Sequence, residues 1–236
     1  MWEYLFPSPA TCWFCSSPAG GHPWSRVWER LCTGCRRRLV RISPPMCPRC
    51  GRPLPEPGTA PCRDCKGRTG HLDRNRSVVR YNDFARGIVA LFKYRGRERL
   101  ALPLGRMMAE AAADHRPAPD WITYVPLHPS RQKERGFNQA ELLARVVANR
   151  LNRPLIPLLR RVRPTESQSQ RSRRERLVAL RGAFAFAGRE SIRKSIAGSC
   201  VLIVDDVYTT GSTLEECARL LKQEQVKRVV SVTFAR

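Results

Sequence analysis

The stretch VLIVDDVYTTGST at residues 201–213 decides the fold, because a buried strand runs directly into two acids and a hydroxyl-rich turn. Its first four residues are all apolar, which is typical of a strand covered on both faces of a parallel sheet. Asp205 and Asp206 follow at the carboxyl end, where open parallel sheets bind their ligands. The turn then supplies hydroxyls and a glycine before a helix, whose N-terminus attracts anions. The stretch therefore predicts a site that binds a phosphate at the turn and hydroxyl groups at the acids.

Strand-like and helix-like stretches alternate in the chain on both sides of this motif. WITYV at 121–125 and RVVSVTFA at 228–235 predict strands, PLIPLL at 154–159 predicts another, and the apolar spacing at 140–151 predicts an amphipathic helix. Strands separated by helices indicate a parallel sheet flanked by helices. We therefore predict an α/β domain at residues 71–236.

The N-terminal segment contains four C-x-x-C pairs, which are Cys12/Cys15, Cys32/Cys35, Cys47/Cys50 and Cys62/Cys65. One such pair directs two thiolates at one ion, and two pairs complete a structural zinc site. The alternatives are a disulfide framework, which a reducing compartment disfavours, and redox pairs, which need a βαβ context. We predict a double zinc ribbon at residues 1–70 that holds two zinc ions. Sequential pairing closes the shortest loops, and interleaved pairing stays open.

The chain is strongly basic, with 43 Lys and Arg against 20 Asp and Glu and a formal net charge of +23. This charge favours binding to polyanions such as nucleic acid, unless it only reflects the codon composition of a GC-rich genome. The hydrophobic content of 42% argues against disorder. No apolar run is long enough to insert into a membrane, and the N-terminus does not resemble a signal peptide, so we expect a cytoplasmic protein.

The motif at 201–213 resembles the phosphoribosyl-pyrophosphate (PRPP) signature of type I phosphoribosyltransferases. Together with LFKYRGRERLA at 91–101, VPLHPSRQKERGFNQAELLA at 125–144, the run at 165–176 and the C-x-x-C pairs, it makes nearly the whole chain similar to the ComF family. Members of that family are linked to DNA uptake in natural competence. The resemblance implies a type I phosphoribosyltransferase-like sheet with an N-terminal double zinc ribbon, and it makes the competence machinery a partner.

The resemblance also implies roles for individual residues. Asp205 and Asp206 would contact the ribose hydroxyls as the catalytic pair, and magnesium would bind together with PRPP. The turn would hold the 5′-phosphate, the loop after residue 125 would hold the pyrophosphate, and the run at 165–176 would close over the substrate. The residues implied to bind the substrate are Tyr208, Thr209, Thr210, Gly211, Ser212, Thr213, His128, Arg135, Arg171 and Arg173.

Two functions stay open at this point. In the first, a nitrogen nucleophile displaces pyrophosphate from PRPP, although no base-binding segment identifies the acceptor. In the second, the protein binds single-stranded DNA without catalysis and uses the PRPP fold as a scaffold or sensor. Cations interleaved with aromatic residues at 92–95 and 135–137 favour the second function, because bases stack on aromatic rings.

Overall fold

A four-stranded parallel sheet forms the centre of the fold in a computed structural model, which describes residues 11–20, 26–56, 60–67, 69–94, 97–164 and 173–236. The strand order is β1-β6-β5-β2, and β3 pairs with β4 in a separate antiparallel ribbon. The strands are β1 (Arg74–Val79), β2 (Trp121–Tyr124), β3 (Leu159–Arg161), β4 (Phe184–Phe186), β5 (Cys200–Val207) and β6 (Arg228–Ala235). The predicted parallel α/β class is confirmed.

Helices cover both faces of the sheet. They are α1 (Thr33–Arg38), α2 (Asp83–Phe92), α3 (Ala101–Ala112), α4 (Pro129–Arg135), α5 (Gln139–Leu151), α6 (Arg173–Leu180), α7 (Glu190–Ile196) and α8 (Ser212–Gln223), with 3-10 turns at Val27–Arg30 and Glu98–Leu100. Side chains alternate along β5, so Leu202 and Val204 join the core formed with α3 and α5, whereas Val201 and Ile203 join the core formed with α8. None of the helices among the described residues has the length and apolar character needed to cross a bilayer.

The strand predicted at 154–159 was wrong for most of its length. Leu155 makes a single parallel bridge to Ile122, and the next strand begins only at Leu159 and pairs with β4. Proline has no backbone N–H, so Pro154 and Pro157 cannot donate to a ladder. The strands predicted around 121–125 and 228–235 and the helix near 140–151 are confirmed, and β5 continues through both acids to Val207.

A row of buried polar side chains joins β1 and β6 to the N-terminal segment. Ser231 Oγ donates to Asn75 Oδ1 at 2.9 Å, and Asn75 Nδ2 donates to the carbonyl of Cys50 at 3.2 Å. Gly51, next to Cys50, has φ of +70°, and a Cβ there would lie 2.9 Å from the Asn75 carbonyl oxygen. The second pair of cysteine knuckles therefore docks closely on the sheet, which requires glycine at this point.

Candidate functional site

The carboxyl ends of the four parallel strands meet at one edge of the sheet, and each strand delivers polar residues there. His128 lies beyond β2, the acids and the hydroxyl turn end β5, Arg236 follows β6, and Tyr81 follows β1. The backbone ties these ends together, because Tyr208 N–H donates to Ala235 O at 2.9 Å and Tyr81 N–H donates to Arg236 O at 2.7 Å. This edge is the position where open α/β sheets bind ligands.

The two acids of the motif share one cationic partner. Lys93, directly after α2, places Nζ 2.9 Å from Asp206 Oδ2, and the Asp206 N–H donates to Asp205 Oδ1 at 2.8 Å. Burial and the neighbouring Asp206 carboxylate raise the pKa of Asp205 to about 8. Burial lowers the pKa of Lys93, but the ion pair with Asp206 outweighs it and raises that pKa. Fully ionised, the pair would hold more negative charge than Lys93 balances, so releasing the Asp205 proton requires a further cation or hydrogen-bond donors.

The raised pKa of Asp205 predicts a pH dependence of stability. Its ordinary pKa is 3.8 and its folded-state pKa is about 8, so between these values the folded chain holds a proton that the unfolded chain lacks. The contribution to the free energy of unfolding is complete below the lower value and is lost as the pH rises towards the upper one. Asp205→Asn should therefore become progressively more stable than wild type from about pH 5 to about pH 8, by up to ~1.4 kcal/mol per pH unit.

Chemical denaturation of wild type and Asp205→Asn across this pH range measures the difference directly. Asp114→Asn is the matched control, because Asp114 is exposed at the other end of the sheet. A stability difference between Asp205→Asn and wild type that stayed constant with pH would show that the Asp205 pKa is not raised.

The hydroxyl turn enters α8 through a glycine. Gly211 has φ of +78°, and a Cβ there would lie 2.5 Å from Cζ of Tyr208, so a larger residue would displace that ring. Thr210 Oγ1 lies 2.9 Å from Ser212 Oγ, which places two hydroxyls together at the start of the helix. Backbone N–H groups and hydroxyls at a helix N-terminus form a suitable environment for a phosphate.

The loop after β2 is held by hydrogen bonds at both ends of α4. The His128 ring accepts from the Ser130 N–H through Nδ1 at 3.3 Å, and Arg135 Nη1 donates to Gln139 Oε1 at 2.9 Å. Asn138 caps α5 by accepting from Ala140 N–H at 3.0 Å. The structure thus places His128 directly after β2 and Arg135 at the end of α4. Both follow the carboxyl end of β2, at the same edge of the sheet as the acids.

Two of the three aromatic residues expected to stack with bases pack into the protein, whereas Tyr94 is exposed. Phe92 is fully buried, Phe137 is half-buried, and their ring centroids lie 6.0 Å apart. This contact holds the end of α2 against the α4–α5 loop and places Lys93 beside Asp206. The sequence favoured nucleic-acid binding for the cations at 92–95, and the structure pairs Lys93 with Asp206. The only sequence signal for this role of Lys93 is that a cation directly follows an amphipathic helix.

The predicted mobile loop at 165–176 is only partly described. Arg171 lies outside the described residues, and Arg173 is the first residue of α6, so the loop prediction was wrong for its last four residues. α6 packs against α8, and Gly182 N–H donates to Glu216 Oε1 on α8 at 3.1 Å. The helix after the loop is therefore anchored to the helix that begins at the hydroxyl turn.

The eight N-terminal cysteines form two groups, Cys12/Cys15/Cys32/Cys35 and Cys47/Cys50/Cys62/Cys65, and within each group all ligand atoms lie within 4.8 Å of one another. This is the predicted sequential pairing. A tetrahedral Zn–S₄ site with bonds of ~2.3 Å separates its sulfurs by ~3.8 Å, and the observed Sγ–Sγ distances include 3.5 Å for Cys15–Cys32 and 3.6 Å for Cys50–Cys62. Both groups therefore fit zinc. Cys200 and Cys217 are buried in the core and belong to neither group.

The local environment favours the thiolate form of one cysteine in each group. Hydrogen bonds from Ser17 lower the pKa of Cys15 to about 6. Burial raises the pKa of Cys47, but backbone N–H groups of Cys50, Cys62 and Arg49 outweigh it and bring that pKa to about 6. Zinc binds the thiolate, so each group offers one ligand that is already deprotonated at neutral pH.

The second cysteine group adjoins the hydroxyl turn through Arg236. Its guanidinium donates to the Cys50 carbonyl at 2.9 Å and lies 4.5 Å from the centroid of the Tyr208 ring. A cavity of about 240 Å³ lies between these elements and is lined by both Cys65 and Thr209. The second cysteine group therefore forms part of the wall around the candidate phosphate site.

The chain matches two known domain families and is similar to several known proteins. Residues 138–236 match the phosphoribosyl transferase domain, and residues 1–66 match the double zinc ribbon domain. The chain is 34% identical to competence protein ComFC of Bacillus subtilis over 88% of this chain and 85% of that protein. It is 34% identical to DNA utilization protein YhgH of Salmonella typhi over 90% of this chain and 91% of that protein. It is 30% identical to competence protein F of Haemophilus influenzae over 84% of this chain and 87% of that protein.

Proposed function

This chain belongs to the ComF family of competence and DNA-utilization proteins, and from that premise we propose that it binds Mg-PRPP at the carboxyl edge of its sheet and acts in DNA uptake. The observation that carries the proposal is the half-buried Asp205–Asp206 pair, which leads through a hydroxyl turn into the N-terminus of α8. We assign the two activities to one protein of two parts, a double zinc ribbon at 1–70 and a phosphoribosyltransferase-like domain at 71–236, working in the cytoplasm.

The proposed roles follow from the chemistry at each position. The carboxylates accept hydrogen bonds from the two ribose hydroxyls, and the turn at Tyr208–Thr213 donates to the 5′-phosphate. His128 and Arg135 lie on the side where the pyrophosphate would extend, and Arg171 and Arg173 precede or begin α6. Magnesium prefers carboxylate and phosphate oxygens, so Asp205 and Asp206 fit it, directly or through water. Bound magnesium would neutralise charge on the pyrophosphate.

Calorimetric titration of the zinc-loaded full-length protein with PRPP and magnesium tests the proposal. We expect one site per chain with a Kd on the order of 10 μM, which is within the range usual for enzyme substrates. Ribose 5-phosphate should bind more weakly because it lacks the pyrophosphate, and omitting magnesium should weaken PRPP binding. Absence of binding at millimolar PRPP with magnesium present would overturn the assignment.

A second function, non-catalytic binding of single-stranded DNA, is favoured by the charge of the chain. Zinc ligation by eight thiolates would reduce the net charge of +23 by four, to about +19, so the protein stays strongly basic. PRPP would then act as a regulator, and the fold would serve as a scaffold. Release of pyrophosphate from bound PRPP in the presence of an acceptor separates a transferase from a sensor.

A further inference from the structure

A second cleft opens at the carboxyl edge of the sheet, on the side of β1 and β6. It has a volume of about 540 Å³, within the ~300–1,000 Å³ range of ligand pockets. We call it the Arg–Tyr cleft and define it by its lining residues Arg52, Arg80, Tyr81, Tyr208, Thr209 and Arg236. Three separate elements supply its arginines, namely the second cysteine group, the end of β1 and the end of β6.

The charges in the cleft are positioned to receive an anion. Arg80 is exposed and takes part in none of the ion pairs found among the described residues. Arg52 pairs with Asp64, but both side chains are nearly half exposed, so water weakens the pair and a phosphate would compete with it. Arg236 is fixed by the Cys50 carbonyl and the Tyr208 ring. The cleft therefore combines two adjustable cations with one rigid cation.

The cleft also offers an aromatic surface. Tyr81 is 43% exposed, although it directly follows a strand and its backbone is hydrogen-bonded to Arg236. An exposed tyrosine ring beside cations, on a backbone tied into the sheet, is an arrangement on which single-stranded nucleic acids stack their bases. Phe92 cannot serve in this way because it is fully buried, and one side of the half-buried Phe137 packs on it.

We propose that the Arg–Tyr cleft binds one nucleotide unit of a DNA single strand, with the base stacked on Tyr81 and the flanking phosphates on Arg80 and Arg52. The inference rests on the proposed function, since it names where the strand meets the candidate PRPP site. Tyr208 and Thr209 line both the cleft and the cavity beside the hydroxyl turn. A strand held here therefore lies directly beside the sugar phosphate.

Fluorescence anisotropy of the zinc-loaded full chain with a labelled oligothymidylate of about 20 nucleotides tests the proposal. Tyr81→Ala should weaken binding about tenfold, whereas Tyr81→Phe should retain wild-type affinity because the ring is kept. Arg80→Gln should weaken binding and reduce the slope of log affinity against log salt by about 0.7, the value for one phosphate contact to a single strand. The matched control is Arg153→Gln, because Arg153 is exposed at the amino end of the sheet.

Competition with the mononucleotide dTMP identifies the source of the ligand. Competition that disappears in Tyr81→Ala supports the cleft as a nucleotide site that also accepts free nucleotides, and oligonucleotide binding without competition by dTMP supports recognition of a strand.

Equal losses in Arg80→Gln and Arg153→Gln would overturn the proposal in favour of a diffuse basic surface. Unchanged affinity in Tyr81→Ala, or no oligonucleotide binding by wild type at low salt, would also overturn it. PRPP calorimetry on Tyr81→Ala is a separate measurement, so failure here leaves the PRPP result intact.

Discussion

Replacing both Asp205 and Asp206 with asparagine is expected to weaken PRPP binding by at least about 100-fold while the domain stays folded. Two charge-assisted hydrogen bonds to the ribose hydroxyls are lost together with the charge that attracts magnesium, and each such bond contributes ~1.5–3 kcal/mol. Both acids lie at the end of β5, and Asp205 is held against its preferred ionisation, so their removal relieves electrostatic strain in the free protein. Calorimetry gives the affinity, and circular dichroism with thermal melting reports the fold.

The matched control for this variant removes two acids elsewhere. Asp114→Asn with Glu190→Gln makes the same change in charge at two exposed positions and should bind PRPP like wild type. Asparagine at 206 also leaves Lys93 without its partner, so Lys93→Met added to the double variant should raise stability further but should not restore affinity. Wild-type affinity in the Asp205→Asn/Asp206→Asn protein would refute the assignment of the site.

Breaking the second zinc site should affect both stability and PRPP binding, whereas breaking the first should affect stability alone. Cys65→Ser removes a zinc ligand from the second cysteine group. In this group the Cys50 carbonyl accepts hydrogen bonds from Asn75 and Arg236, and Cys65 lines the cavity beside the hydroxyl turn. We expect a loss of several kcal/mol in the free energy of unfolding, because metal binding is coupled to folding. PRPP affinity should fall about tenfold as Arg236 loses its anchor, an effect of ~1.4 kcal/mol.

Cys15→Ser is the matched control, because Cys15 belongs to the other group and is exposed. Elemental analysis of protein purified without chelators should give two zinc ions per chain for wild type and about one for each variant. Less than one zinc per wild-type chain would contradict the double ribbon. Equal losses of PRPP affinity in the two variants would show that the second site has no special connection to the turn.

The sequence was most informative where apolar patterning and motif spacing agree. The strand before Asp205 and the helix from Ser212 follow directly from the run of apolar residues and the glycine turn. The cysteine spacing predicted two metal groups because a C-x-x-C knuckle is a local structure. By contrast, β1 was not identified, since its RNRSVV sequence lacks an apolar pattern. Its Asn75 and Ser77 are buried because they bind Ser231, Thr233 and the docked knuckle, a tertiary reason that no local pattern contains.

The same distinction applies to the candidate site. The residues of the motif were identified because they are contiguous, whereas Lys93 reaches Asp206 across more than 100 positions through the packing of Phe92 on Phe137. Arg80 and Tyr81 follow β1 and Arg236 follows β6, so only the pairing of β1 with β6 brings them together. The sequence contained these cations and rings, but it could not show which of them share a surface.

The strand order also constrains how the chain assembles during synthesis. β1 is hydrogen-bonded to β6 in the sheet, and β6 is the last of the six strands along the chain. A ribosome releases the N-terminal part first, so β1 emerges long before its partner exists, and closing so distant a contact is slow. Each cysteine group, however, spans fewer than 25 residues and is complete early. Zinc would keep the two cysteine groups ordered during this interval, until the final strand takes its place between β1 and β5.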